Sequence, residues 1–117
     1  MKIAIGNDHA GVELKQYLVK HLEEWGHEVL DLGHNGTDSV NYPEFGKQVA
    51  TRVVNKEADL GIVICGTGIG ISISANKVTG ARAALCTNEL MAELSRRHNN
   101  ANVLALGARI LGDELAL

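Results

Sequence analysis

This 117-residue chain has few aromatic side chains, no surplus of basic charge and no long apolar segment. Aromatic residues make up only 3% of it, which argues against a surface on which nucleic-acid bases stack. The formal net charge of −3 argues against general binding to nucleic acid or to an anionic membrane. No apolar run approaches the roughly 18 residues of a membrane span, and the N-terminal segment turns polar too early for a signal peptide. We therefore expect neither a nucleic-acid partner nor a membrane.

Cysteine is scarce as well, with two residues and no CxxC pair. This usage predicts free thiols in a reducing compartment, so we expect a cytoplasmic protein. Apolar residues are abundant instead, at 45% against 21% charged residues, which is enough to build a real core. A chain of this length predicts one domain, over residues 1–117, that buries about two thirds of its unfolded surface.

Apolar runs and turn residues alternate along the chain in a way that predicts five strands separated by helices. The predicted strands cover residues 1–6, 28–32, 60–65, 81–85 and 102–106. Three of the predicted helices cover residues 12–25, 43–55 and 88–98. Two more are predicted to begin near residue 70 and within residues 110–117. Strands and helices in alternation with short connections are typical of a parallel sheet covered on both faces. We therefore predict a single doubly wound α/β domain, a Rossmann-like or flavodoxin-like three-layer sandwich with a five-stranded parallel sheet.

The stretch from Ile62 to Lys77, IVICGTGIGISISANK, carries the strongest local pattern. A buried strand ends at Cys65, glycines follow at positions 66, 68 and 70, and a helix begins. The free N–H groups of such a turn and the helix dipole favour negative charge. The pattern is neither a P-loop nor GxGxxG, so it supports nucleotide binding weakly. Two interpretations stay open: a tight turn that needs glycine for its conformation, or an anion or oxyanion site.

Several residues with reactive side chains follow the predicted strands. Because the carboxyl ends of parallel strands meet at one edge of a sheet, we expect the turns after strands one, three, four and five to share a face. These turns hold Asp8 and His9, Cys65 to Gly70, Thr87 and Asn88, and Gly107 to Arg109. Cys65 precedes a helix N-terminus, where a thiol is suited to carry charge. A cysteine that ends an apolar strand is also often a small core residue, an interpretation that stays open for both cysteines and fits Cys86 better.

Five motifs, spread in order from one end of the chain to the other, resemble the type B ribose-5-phosphate isomerase family. They are GNDHAG from Gly6, Tyr42-Pro43, CGTGIG from Cys65, SISANK from Ser72 and Arg97-His98-Asn99. That family also contains allose-6-phosphate isomerases and galactose-6-phosphate isomerase subunits. The resemblance implies the fold already predicted. It also implies an interconversion of aldose and ketose phosphates through an enediolate, with no metal and no organic cofactor.

The resemblance further implies roles for residues around the glycine turn. Cys65 is the general base that moves a proton between C1 and C2, and Thr67 assists proton handling at the sugar oxygens. Backbone N–H groups of the turn hold the developing oxyanion. The turn residues assigned to substrate binding are Gly66, Gly68, Ile69 and Gly70.

The remaining implied roles concern ring opening, orientation and the phosphate. His98 opens the furanose ring together with Asp8, and Asn99 orients the sugar. The residues expected to hold the phosphate or line the pocket are His9, Arg109 and Tyr42. Family sites lie between two subunits, so a homodimer or a dimer of dimers is implied, with a small sugar phosphate as the other partner.

Family members continue through a full C-terminal helix and an arginine-bearing tail, whereas this sequence ends at Leu117. We therefore expect a domain whose C-terminal helix and tail are truncated relative to the family. Ribose 5-phosphate is the expected substrate, with allose or galactose 6-phosphate as alternatives. A non-catalytic subunit that binds sugar phosphates is a third reading, and a flavodoxin-like nucleotide binder, which rests on fold analogy alone, is a fourth.

Overall fold

The computed structural model describes residues 1–33 and 42–111, with nine regular elements and a short 3₁₀ turn at His9–Gly11 that the sequence did not predict. The strands are β1 (Lys2–Asn7), β2 (Glu28–Asp31), β3 (Leu60–Cys65), β4 (Ala83–Leu85) and β5 (Val103–Gly107). The helices are α1 (Val12–Glu24), α2 (Tyr42–Val54), α3 (Ile69–Asn76) and α4 (Glu89–Asn99). The predicted last helix and the loop before Tyr42 lie outside the described residues, apart from Gly33, Ile110 and Leu111.

The five strands form one parallel sheet in the order β2-β1-β3-β5-β4. Consecutive parallel strands need helical crossovers, which cover both faces of the sheet. On one face α2 and α3 pack over a cluster that includes Val49, Val63 and Ile71. On the other face α1 packs through Leu14 and Leu18 onto a second cluster. The predicted α/β fold with a five-stranded parallel sheet is thus confirmed.

The predicted element boundaries agree with the structure to within about two residues. The largest difference is β4, which begins at Ala83 rather than Ala81. Ala81 is still part of the preceding turn, since its N–H donates to the Val78 carbonyl oxygen at 3.0 Å. The predicted helix cap at Asn88 is confirmed: its Oδ1 accepts a hydrogen bond of 2.9 Å from the N–H of Met91.

Within residues 1–33 and 42–111, no helix combines the length and the apolar character needed to cross a bilayer.

Helices α2 and α3 cross at a position that only glycine fits. A Cβ on Gly46 would lie 2.1 Å from the Ser74 Oγ and 3.0 Å from the Ile71 carbonyl oxygen. Ser74 is itself buried and bonded to Ile71 through its hydroxyl, so it has little room to withdraw. The close approach of the two helices therefore depends on the missing side chain.

We predict that Gly46→Ala lowers the free energy of unfolding by about 1–3 kcal/mol, the usual effect of overpacking. Helix propensity alone predicts the opposite sign, because alanine is about 1 kcal/mol better than glycine inside a helix. Urea unfolding of both proteins measures the difference. The double variant Gly46→Ala/Ser74→Ala should recover part of the loss, and a single variant as stable as the parent would contradict this packing.

Candidate active site

The site lies where β1, β3 and β5 end, and backbone hydrogen bonds join their three turns. The N–H of Asp8 donates to the Ile64 carbonyl oxygen at 3.1 Å. From the other side, the N–H groups of Ala108 and Arg109 donate to the carbonyl oxygens of Cys65 and Gly66 at 2.8 and 2.9 Å. The expectation that these turns share one edge of the sheet is confirmed.

The thiol of Cys65 is buried, with 7% of the residue exposed, and faces the start of α3. The N–H of Gly68 donates to its Sγ at 3.2 Å. Gly68 can point its N–H this way because it adopts φ +84°, and a Cβ there would lie 2.5 Å from the Leu85 Cδ1. The sulfur thus lies beside a backbone donor at the N-terminal end of α3, which is the positive end of the helix dipole.

Thr67 is exposed in the middle of the glycine turn. Its Oγ1 accepts a hydrogen bond of 3.2 Å from the N–H of Ile69. Of the four turn residues expected to bind substrate, Gly68 and Ile69 therefore already donate their N–H groups to neighbouring side chains. The N–H groups of Gly70 and Ile71 belong to the first turn of α3, where a helix offers them no internal acceptor. Ile71 is fully buried, whereas Gly70 is only partly buried, so the N–H of Gly70 is the one that an incoming oxyanion can reach.

Asp8 and His9 form the wall of the site on the β1 side. Asp8 is 6% exposed, and its Oδ1 accepts a hydrogen bond of 2.9 Å from the N–H of Ala10, which caps the 3₁₀ turn. His9 is half-buried, and among the described residues its Nδ1 has no hydrogen-bond partner although the atom is buried. An imidazole nitrogen of this kind is suited to meet a polar group of a ligand.

Arg109 brings a positive charge to the same edge. Its side chain is exposed and lies over the glycine turn, since a Cβ on Gly66 would be 3.4 Å from both its Cδ and its Nη1. No carboxylate pairs with this guanidinium among the described residues. An unpaired arginine beside a helix N-terminus makes this edge attractive to an anion.

His98 and Asn99 do not lie at this edge, contrary to the expectation that they converge on Cys65. They end α4, which returns from the carboxyl end of β4 to the start of β5. The six residues of β3 separate the two edges by about 17 Å. Both residues are exposed. Within one chain, the thiol therefore lies where the strands end, and the predicted ring-opening histidine lies at the edge where the strands begin.

Two further expectations concern Tyr42 and Cys86. Tyr42 begins α2, but its side chain lies outside the described residues. Cys86 is 3% exposed, and burial raises the pKa of its thiol, against a smaller opposing effect of a hydrogen bond with Ser95. A neutral buried thiol is a poor nucleophile or base, which supports the interpretation of Cys86 as a core residue.

Comparison with known proteins assigns this arrangement to a family. Residues 3–117 match the family model described as Ribose/Galactose Isomerase. The chain belongs to the ribose/galactose isomerase family. It is 52% identical over 115 residues to ribose-5-phosphate isomerase B of Escherichia coli, covering 98% of this chain and 77% of that protein. It is 46% identical over 112 residues to the galactose-6-phosphate isomerase subunit LacB of Clostridium acetobutylicum, covering 96% of this chain and 65% of that protein.

Solved structures agree with this membership. The ribose-5-phosphate isomerase B of Clostridium thermocellum is 58% identical and superposes with a TM-score of 0.98, over 99% of this chain and 78% of that one. The enzyme of Thermotoga maritima is 50% identical with a TM-score of 0.96, over 98% and 79%. The predicted family is confirmed, and so is the prediction that this family member is an isomerase.

Gly107 shapes the site of this isomerase in a way that the sequence analysis missed. A Cβ on Gly107 would lie 2.5 Å from the Thr67 carbonyl oxygen and 2.6 Å from its carbonyl carbon. The end of β5 thus supports the glycine turn from behind, backbone against backbone. The only signal in the sequence was a glycine at the end of a predicted strand, a position that often marks close backbone approach.

We predict that Gly107→Ala lowers isomerase turnover by about 100-fold, because a displacement of roughly 1 Å in a site has effects of that size. Steady-state kinetics of the purified variant measure it. The matched control is Gly26→Ala, a substitution at φ +89° with open space around the new methyl group. It should reduce stability while leaving turnover unchanged, and equal turnover of the two variants would refute the support role of Gly107.

Proposed function

We propose that this isomerase interconverts ribose 5-phosphate and ribulose 5-phosphate, with Cys65 as the general base. The observation that carries the proposal is the 3.2 Å hydrogen bond from the Gly68 N–H to the Cys65 Sγ. This bond gives a negatively charged sulfur a donor, beside a turn that can hold an oxyanion. Abstraction of a proton beside a carbonyl requires both a base and a place for the oxyanion. The two relatives with structures described above carry the name ribose-5-phosphate isomerase B.

In the proposed reaction the Cys65 thiolate removes the C2 proton of the open-chain aldose. The electron pair of that bond forms a C1–C2 double bond, and the C1 carbonyl oxygen becomes an oxyanion. N–H groups at the start of α3, including that of Gly70, stabilise this oxyanion. The Thr67 hydroxyl relays a proton between O1 and O2, and the thiol returns its proton to C1. The enediolate thereby collapses to the ketose with no net change in protons.

We further propose that a second copy of the chain completes each site in a homodimer, alone or within a dimer of dimers. In one chain, His98 and Asn99 lie at the opposite edge of the sheet from Cys65, and β3 between the two edges spans about 17 Å. Their proposed roles in ring opening and orientation therefore require another chain. Helix α4 has an apolar surface that a second copy can cover. Its exposed apolar residues are Leu90, Met91 and Leu94, at 58%, 40% and 37% exposure.

The substrate's phosphate is proposed to lie between His9 and Arg109. The Arg109 guanidinium is exposed and unpaired among the described residues, and the fork of an arginine suits a phosphate. Asp8, together with His98 of the second copy, opens the furanose ring by proton transfer at the ring oxygen and O1. Tyr42 lines the pocket. Both cysteines are free thiols, which accords with the proposed location in the cytoplasm.

A second candidate function is the isomerisation of a six-carbon sugar phosphate. The 46% identity to a galactose-6-phosphate isomerase subunit favours it specifically. Both candidates use the same proton transfer between C1 and C2, so the site around Cys65 suits either. They differ in the length of the sugar between the reacting carbons and the phosphate.

We predict that Cys65→Ala lowers kcat on ribose 5-phosphate by about 10²- to 10⁴-fold, the usual contribution of a general base. Direct spectroscopic detection of the ketose product measures the rate. Cys86→Ala is the matched control, because it removes the other thiol, which is buried and hydrogen-bonded to Ser95 rather than to the glycine turn. It should keep nearly full turnover.

The assignment of Cys65 is wrong if the two alanine variants retain similar kcat values. The same assay on allose 6-phosphate and galactose 6-phosphate decides the substrate. A kcat/KM on ribose 5-phosphate below either hexose value would favour the second candidate.

We predict that mixing two inactive variants restores activity if each site draws on two chains. Consider a symmetric dimer in which one chain carries Cys65→Ala and the other carries His98→Ala. One of its two sites then contains both substitutions, and the other site contains neither. Random reassembly of an equal mixture makes half of the dimers mixed, so about a quarter of parental activity should return. Unfolding the variants together, refolding them and assaying ribose 5-phosphate measures this recovery.

Each variant refolded alone is the control and should stay inactive. If both residues served the same site from one chain, every site in the mixture would carry at least one defect. The mixture would then remain as inactive as its components, which would overturn the shared site without touching the role of Cys65.

A further inference from the structure

The edge where the strands begin, opposite the thiol, carries a cleft that the proposed isomerisation does not use. It has a volume of about 330 Å³. Its lining comes from the end of α2, the start of β3, the residues just before β3, β4 and β5, and one residue of α4. Three of the lining residues are cations, Lys56, Arg82 and Arg96, and one is an acid, Asp59.

Backbone carbonyl groups hold the two guanidinium groups in place. Arg82 donates from Nε to the Asn100 carbonyl oxygen at 2.7 Å and from Nη1 to the Gly80 carbonyl oxygen at 3.0 Å. Arg96 donates from Nη1 to the Ala101 carbonyl oxygen. These acceptors are neutral, so they fix the orientation of the guanidinium groups and leave their charge uncompensated. Each arginine also has donors left for another acceptor, since a guanidinium carries five.

The cleft is positively charged in a chain whose formal net charge is −3. Among the described residues, no carboxylate lies within ion-pair distance of Lys56, Arg82 or Arg96. Asp59 already accepts a hydrogen bond of 2.8 Å from the backbone N–H of Lys2 through its Oδ2. Three cations and one acid leave about two positive charges, a number that matches the charge of a phosphate group near neutral pH.

We propose that this cleft binds a phosphate group, either inorganic phosphate or that of a small phosphorylated metabolite, at a site separate from the one around Cys65 of the same chain. Two arginine forks and a lysine present the bidentate and point-charge donors that phosphate oxygens accept. The volume lies at the lower end of the range for small-molecule sites, roughly 300–1,000 Å³. Within one chain, the cleft and Cys65 lie at opposite ends of β3, which spans about 17 Å, so a small ligand in the cleft cannot reach the thiol of that chain.

Equilibrium dialysis with radioactive inorganic phosphate tests the site in the full chain. An Arg109→Gln background removes a cation from the catalytic edge, so the phosphate that remains bound reports on the cleft. We expect one phosphate per chain in this background. Adding Lys56→Asn should weaken it about tenfold, the value of one charge-assisted hydrogen bond. Lys56 has φ 62°, and asparagine tolerates this left-handed conformation, so the substitution does not disturb folding.

Lys47→Asn is the control, because it removes the same charge from an exposed position of α2 that does not line the cleft. Arg82→Lys should also weaken binding, since it keeps the charge and loses the fork. The same dialysis with competing glycerol 2-phosphate separates the two sources, since tighter binding of the ester identifies a metabolite as ligand and tighter binding of phosphate identifies the free ion.

The proposal is overturned if the Arg109→Gln protein binds no phosphate at roughly 10 mM. It is equally overturned if Lys56→Asn and Lys47→Asn bind phosphate with the same Kd. The comparison of these two lysine variants decides the proposal whichever residues hold the substrate's phosphate, so its failure is separable from a failure of the proposed isomerase mechanism.

Discussion

The carbonyl groups of Cys65 and Gly66 accept hydrogen bonds from the backbone of Ala108 and Arg109, at 2.8 and 2.9 Å. These two bonds continue the pairing of β3 with β5 beyond the sheet, into the turns. Because they fix one turn against the other, they set where the thiol, the start of α3 and the arginine stand relative to each other. Backbone bonds of this kind are independent of side-chain rotamers, which gives the site a rigid frame.

The same parallel topology that gathers these turns also separates the chain's other reactive residues. A parallel sheet sends every helix back from the carboxyl edge to the amino edge. Residues at the ends of helices, such as His98, therefore lie far from residues at the ends of strands, such as Cys65. A site that uses both classes of residue needs two chains. This geometric constraint is what connects the proposed chemistry to the proposed assembly.

Much of this could be predicted from the sequence, because strands buried on both faces read as continuous apolar runs and LGIVIC is such a run. The glycine turn after Cys65 and the helix cap at Asn88 were predicted from residue types that favour turns and helix N-termini. The distribution of hydrogen bonds was not predictable. Whether the N–H of Gly68 is free or bonded to sulfur depends on its φ, and the spacing of glycines does not encode that angle. The grouping of His98 with Cys65 was wrong for one chain, because motif resemblance carries no information about which subunit supplies a residue.

Helix α4 has a property that bears on motion rather than on position. None of its residues is buried, although it begins and ends with well-formed caps at Asn88 and Asn100. Local opening is easiest where few apolar contacts are lost, so within a single chain α4 has the least to hold it against the sheet. Among the four described helices, the one that ends in His98 is therefore expected to exchange its amide hydrogens fastest, and slower exchange there would report that another surface covers it.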